Sequence, residues 1–151
     1  MDVFQNKLNI ALEDIYHSVM NMEEATLKSS GRLNLSISEM HMIECVGKSE
    51  VGRTISEIAE ALRIKSPSVT VAVKKLETKG YMEKRPGETD ARMVHVFLTK
   101  SGQQIYAYHR YYHRMMAREV SEGLTEEEKD VLVKTLYKLN QFFEKSIGEI
   151  L

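Results

Sequence analysis

Proline, glycine and cysteine are all scarce in this chain of 151 residues. Two prolines and eight glycines exclude a collagen-like, linker-like or low-complexity polymer. The single cysteine, Cys45, has no partner for an intrachain disulfide, which fits a reducing compartment. Long apolar runs are missing too. The longest, such as residues 69–73, span about five residues, against the ~18 that a membrane helix needs. The start soon carries Glu13 and Asp14, without a basic region or a small-residue cleavage site. It therefore reads as free of a signal peptide, and a cytoplasmic location with no membrane partner is expected. Also lacking are a Ser-His-Asp or Cys-His arrangement, a phosphate-binding glycine loop and a Glu-x-x-His motif, so the chain is not expected to be an enzyme.

What is present is an ordinary globular composition, 42% apolar and 28% charged. A domain of this length buries about 70% of its unfolded surface. The net charge of −1 argues against nucleic acid, but the distribution reverses that argument. Residues 63–102 hold nine Lys/Arg against four Asp/Glu, leaving twelve against eighteen elsewhere. A basic middle in an acidic frame is the asymmetry expected when one face meets phosphate; the bland reading is a solvated surface.

Periodicity predicts about six helices and one β-hairpin, a mainly α fold. In residues 2–28, Phe4, Leu8, Ala11, Leu12, Ile15, Val19 and Met22 recur at helical steps. Ser38 is expected to cap a shorter helix that turns Met40, Ile43 and Val46 inward. Thr54 and Glu57 form a capping box, and Ile58, Ala59 and Leu62 line the inner side of the helix it starts. A tight connection at residues 63–65 leads to Ser66 as cap and Pro67 as first helical residue, with Val69, Ala72, Val73 and Leu76 inward and Gly80 as the stop. Two helices joined so closely match a helix-turn-helix. The hairpin follows, with turn residues at 86–90 and alternation of Val94, Val96 and Leu98 against Met93, His95 and Phe97. A hairpin directly after a helix-turn-helix is a wing. Thr99 caps a long helix, and Thr125 with Glu128 opens the last, where Leu132, Leu136, Leu139, Phe143 and Ile150 keep near-heptad spacing.

A winged helix-turn-helix core needs only about half of such a chain. The expectation is a single chain, 1–151, with a DNA-binding lobe at 36–99 and dimerisation helices at 1–35 and 100–151. Those long apolar helices need a partner, and the economical one is a second copy, giving a two-fold homodimer that matches palindromic double-stranded DNA. On the second helix of the pair, Ser66, Ser68, Thr70, Val71, Lys74 and Lys75 lie off the inward stripe. Hydroxyls near a helix N-terminus suit phosphates and base edges. The methyl groups of Thr70 and Val71 suit thymine, hence A·T-rich sites. At the wing tip, a guanidinium at Arg92 suits a narrow A·T minor groove, and Asp90 is expected to hold it in a bidentate pair. A protein-binding winged helix is disfavoured by Lys74, Lys75 and Arg92, since interface cores are poor in lysine.

Leu76-Glu77 with Gly80-Tyr81, then Asp90-x-Arg92, then Leu98-Thr99-x-x-Gly102 resemble the MarR family of bacterial winged-helix repressors, over nearly the whole chain. Within that family, residues 37–41, 94–102 and 123–128 and the His109-x-x-x-His113 pair are similar to the fatty-acid-synthesis repressors. Two positions depart: Ala91 stands where those repressors usually carry another arginine, and Lys84 where many members carry arginine. The resemblance implies a repressor that needs no cofactor, with Arg92 as its minor-groove residue. It also implies a long-chain acyl group on acyl carrier protein as corepressor. Met20, Met22, Met40, Met42, Met115 and Met116 could adapt to such a chain, the bland reading being plain core. The tunnel is expected between the first and fifth helices, through Phe4, Leu8, Tyr108, Tyr112 and Met116.

His109 and His113, four residues apart on one helix face, have the spacing of two zinc ligands. Zinc-responsive members of the family resemble this chain at Glu23 and His41 as well, so a zinc site at Glu23, His41, His109 and His113 is the alternative effector reading. Plain surface or core is the commoner fate of such histidines, and His17 and His95 read as ordinary helix and strand residues. Cys45 has no adjacent Lys or Arg to lower its pKa, so an inert thiol is expected.

Overall fold

A computed structural model describes residues 2–29, 31, 34–87, 90 and 92–150. Ala91 and part of the wing's turn, residues 88–89, lie outside the described residues. Six helices and two strands run in the order α1 (Val3–Ser29), α2 (Ile37–Gly47), α3 (Ile55–Leu62), α4 (Ser66–Thr78), β1 (Met82–Pro86), β2 (Val94–Leu98), α5 (Lys100–Glu122) and α6 (Glu126–Ile150). The winged helix-turn-helix expected from periodicity is the architecture found. Among the described residues no helix is long and apolar enough to cross a membrane.

The chain forms two units, Met1–Arg110 and Tyr111–Leu151. The core of the first is built by α2, α3, α4 and the hairpin. Ile43, Ile58, Leu76, Val46, Val69, Val73 and Val96 are its largest fully buried side chains, and those on α2 and on α4 are spaced three or four residues apart. The predicted inward stripes of α2, α3 and α4 are therefore the observed ones. In the second unit, Val131, Leu132, Leu136, Tyr137, Phe142 and Phe143 of α6 are exposed.

Helix starts follow side-chain chemistry. Thr54 and Glu57 cap α3 reciprocally, and Thr125 with Glu128 does the same for α6. Two starts differ from expectation. Ser36, not Ser38, caps α2, because Glu39 lies three residues after Ser36 and closes the box at 2.9 and 3.2 Å. Helix α4 begins one residue early, with Lys65 at the cap position and no side-chain cap bond.

The hairpin is antiparallel, pairing Met82 with Leu98 and Pro86 with Val94. Arg53 adds a third, one-residue strand: its N–H donates to the Val96 carbonyl at 3.1 Å and its carbonyl accepts from the Val96 N–H at 2.7 Å. The clean alternation expected along β2 also fails at Phe97, which is buried. Its ring lies against Gly52, where a Cβ would come within 2.7 Å of it, and the Arg85 guanidinium covers it at 4.0 Å. Both faces of this strand are thus partly covered.

Where hairpin meets α5, Thr99 Oγ1 donates to the Gly80 carbonyl (2.6 Å) and accepts from the Gly102 N–H (3.1 Å). A Cβ at Gly102 would sit 2.1 Å from the Tyr81 carbonyl oxygen. Leu-Thr-x-x-Gly is therefore a docking joint: threonine caps, and glycine permits close approach.

Candidate nucleic-acid interface

Ser66, Ser68, Thr70, Val71, Lys74 and Lys75 are all exposed on one helix, α4, while Val69, Val73 and Leu76 bury the other side. Val71 is 57% exposed, an apolar side chain that no intramolecular packing explains. Thr70 Oγ1 donates to the Ser66 carbonyl at 3.1 Å, which leaves its methyl group and acceptor lone pairs for an outside partner. The Ser68 and Val69 N–H groups bond to the Lys65 carbonyl at 3.0 and 3.2 Å, and Pro67 has none. Donor capacity at this end therefore comes largely from the serine hydroxyls. Lys65, which the sequence placed in the tight turn, adds an exposed cation there.

The cations of this region separate into two kinds. Lys79 is paired with Glu39, Lys84 with Glu77 and Arg85 with Glu83. Among the described residues, Lys74, Lys75 and Arg92 enter no salt bridge and are exposed. An unpaired cation on a rigid surface retains its full charge for phosphate. At the wing tip the Asp90 carboxylate accepts from the backbone N–H of Arg92 at 2.9 Å, rather than gripping its guanidinium as expected. A two-residue reach closes a short turn through the backbone more easily than it reaches a long side chain. Asp90 thus fixes the tip, and Arg92 projects from it.

This arrangement has close counterparts. The described geometry matches a crystal structure of Streptococcus pneumoniae FabT in complex with DNA, 36% identical, with TM-score 0.87 over 93% of this chain and 98% of that one. Residues 35–94 match the MarR family model. The chain belongs to the MarR family. The regulator BilQ of Clostridium symbiosum is 29% identical over 130 residues, 83% of this chain and 89% of BilQ. The regulator YybA of Bacillus subtilis is 26% identical over 89 residues, and this match spans 59% of YybA's length. The S. aureus MepR–DNA complex, 21% identical with TM-score 0.71, shares the fold. The chain is a DNA-binding transcriptional regulator, as its relatives are, and not an enzyme.

The first unit also holds a cavity of about 260 Å³. It is lined by Thr26 and Leu27 of α1, Met40 of α2, and Gln104, Ile105, Tyr108 and His109 of α5. Of the expected tunnel residues, Tyr108 lines this cavity. Phe4 and Leu8 lie exposed near the start of α1 and are not among its walls. Tyr112 and Met116 belong to the second unit, where both are half-buried. As cavity walls, sequence reasoning missed Thr26, Leu27, Gln104 and Ile105.

Of the four candidate zinc ligands, Glu23 meets two within the first unit: His41 Nε2 lies 3.2 Å from Glu23 Oε2, and ligand atoms of Glu23 and His109 lie within 4.8 Å of each other. His109 is buried and His113 half-buried, one helical turn apart on α5. His17 lies exposed with its ring edge-on to Tyr16. His95 Nδ1 is within 3.1 Å of the Val51 carbonyl and helps fasten the wing. Cys45 is buried, and burial pushes its thiol up. Arg53, brought near by the fold although distant in sequence, and Lys48 oppose this without reversing it.

Proposed function

We propose that this regulator represses fatty-acid biosynthesis genes as a homodimer on an A·T-rich palindrome, with long-chain acyl-acyl carrier protein as corepressor. The observation that carries the reading is the likeness to DNA-bound FabT over nearly both chains, reinforced by the similarity of residues 37–41, 94–102 and 123–128 to the fatty-acid-synthesis repressors. The exposed apolar residues of α1 and α6 support the dimer, and light scattering at micromolar concentration returns twice the chain mass under this reading. The cavity under Met40 and Tyr108 offers an apolar chain a place to shed water, at about 0.8 kcal/mol per buried CH₂. The deciding experiment is a gel-shift titration of promoter DNA from fatty-acid-synthesis genes with long-chain-acylated, short-chain-acylated and free carrier protein. The long-chain form should tighten binding, and DNA should tighten carrier-protein binding by the same factor. Equal affinity in all three arms rejects the corepressor.

A second reading, a zinc-responsive regulator, draws on the contact of Glu23 with His41. Carboxylate and imidazole donors suit zinc, with His109 and His113 supplying two more. Elemental analysis after zinc dialysis separates the two: about one zinc per chain, lost in His109→Ala and His113→Ala, favours the metal, and none removes it.

A further inference from the structure

The two ends of the recognition helix α4 are treated in opposite ways. Its N-terminus has no side-chain cap and points hydroxyls outward. Its C-terminus is clasped. Lys79, the C-cap residue, places its ammonium on both oxygens of Glu39, at 2.8 and 2.7 Å, and on the carbonyl of Asn34. The Asn34 side-chain oxygen accepts from the Tyr81 hydroxyl at 3.1 Å. Glu39 is itself immobilised, because the same carboxylate closes the capping box with Ser36. Neither partner is on the open surface, with side-chain exposures of 27% for Lys79 and 13% for Glu39.

We propose that Glu39 and Lys79 are positioning residues for DNA recognition: they fix the pose of α4 from its far end without touching DNA. The geometry makes the end a lever. Helix α4 has 13 residues and is about 20 Å long at 1.5 Å per residue. A tilt of about 5° at the clasp moves Ser66 by roughly 1.7 Å and Ser68 by roughly 1.4 Å, beyond the ~0.5 Å within which hydrogen-bonding constellations stay productive. Three bonds converging on one ammonium, with its partner locked by a second motif, resist that tilt better than apolar packing, which is not directional. Lys79 also differs from Lys74 and Lys75 in being committed, so its charge is not available to phosphate.

The test uses the full chain and the duplex that the wild type selects from a randomised pool, beside a non-cognate duplex at low salt. Glu39→Gln keeps a side chain able to serve the capping box and removes the ion pair; Lys79→Met removes the ammonium. Each is expected to weaken the selected duplex about tenfold, leave non-cognate binding within about twofold and leave the salt slope unchanged, since no phosphate contact is lost. Lys79→Arg, whose fork also grips a carboxylate, should restore most of the affinity, and the double variant should bind as the singles do. Should Lys79→Met not fold by circular dichroism, Glu39→Gln against wild type decides. A salt slope reduced by about one in Lys79→Met, with unimpaired Glu39→Gln, makes Lys79 a phosphate contact and overturns the proposal. Unchanged affinity for the selected duplex, or equal loss on both duplexes, overturns it as well.

Discussion

Lys74, Lys75 and Lys79 stand within six positions of one another, yet among the described residues only the last has a carboxylate to answer it. That difference, and the projection of Arg92 from a tip held by Asp90, sets what each substitution should do. Lys74→Ala should weaken all duplexes alike and lower the salt slope by about one. Arg92→Ala should weaken A·T-flanked sites more than G·C-flanked ones, because narrow-groove potential is lost rather than one phosphate contact. Fluorescence-anisotropy titrations at several salt concentrations check both, and unchanged affinity in the two variants removes the basic face as the DNA surface. At this scale much was legible: the outward residues of α4 follow from helical spacing alone. The backbone bond of Asp90 was not, because spacing places side chains near each other without saying which atom is reached.

Elements are joined here by close approaches at glycine, and among the described glycines Gly102 leaves least room for a Cβ. With a Cβ 2.1 Å from the Tyr81 carbonyl, Gly102→Ala forces α5 away from the hairpin. A cost of about 2 kcal/mol is expected from overpacking, read as a fall of about 4–8 °C in melting temperature. Gly148→Ala on α6 meets nothing within 4 Å and should be neutral or stabilising by up to about 1 kcal/mol, through helix propensity. Differential scanning calorimetry of the pair tests the joint against a helix-interior control. The helices and hairpin could be read from the sequence because each carries its own period and caps. The Arg53 strand could not: one residue has no period, and its ladder partner lies 43 positions away. Burial of Phe97 was hidden for a similar reason, since its cover comes from Gly52 and Arg85 on other segments.

Across the whole molecule, acid should act through the same carboxylates that set the helices. Burial, the largest single influence on Glu39, pushes its carboxyl up. The Lys79 hydrogen bond, the Ser36 backbone bond and the Lys79 charge together outweigh it and hold the group below the usual carboxylate range. The Thr54 backbone bond does the same for Glu57. Groups so depressed in the folded chain lend stability that is present at neutral pH and lost as pH falls through the folded value, below about 4.5. Urea denaturation between pH 3 and 7 should show that loss, and Glu39→Gln should flatten it by lowering stability at neutral pH rather than raising it in acid. The winged helix-turn-helix was readable because its pattern closes on itself. The cavity walls were not, since they combine short pieces of three helices that no single periodicity links.

Cys45 has an experimental use that follows from its burial. It is the chain's single thiol, seated in the α2 core with its proton held by burial, so a thiol reagent meets nothing reactive until that core opens. Labelling kinetics under native conditions therefore clock the opening of the lobe that carries α4, one signal per chain. A cysteine introduced at an exposed wing or α4 position would take up a spin or fluorescent probe alone, with the native thiol silent.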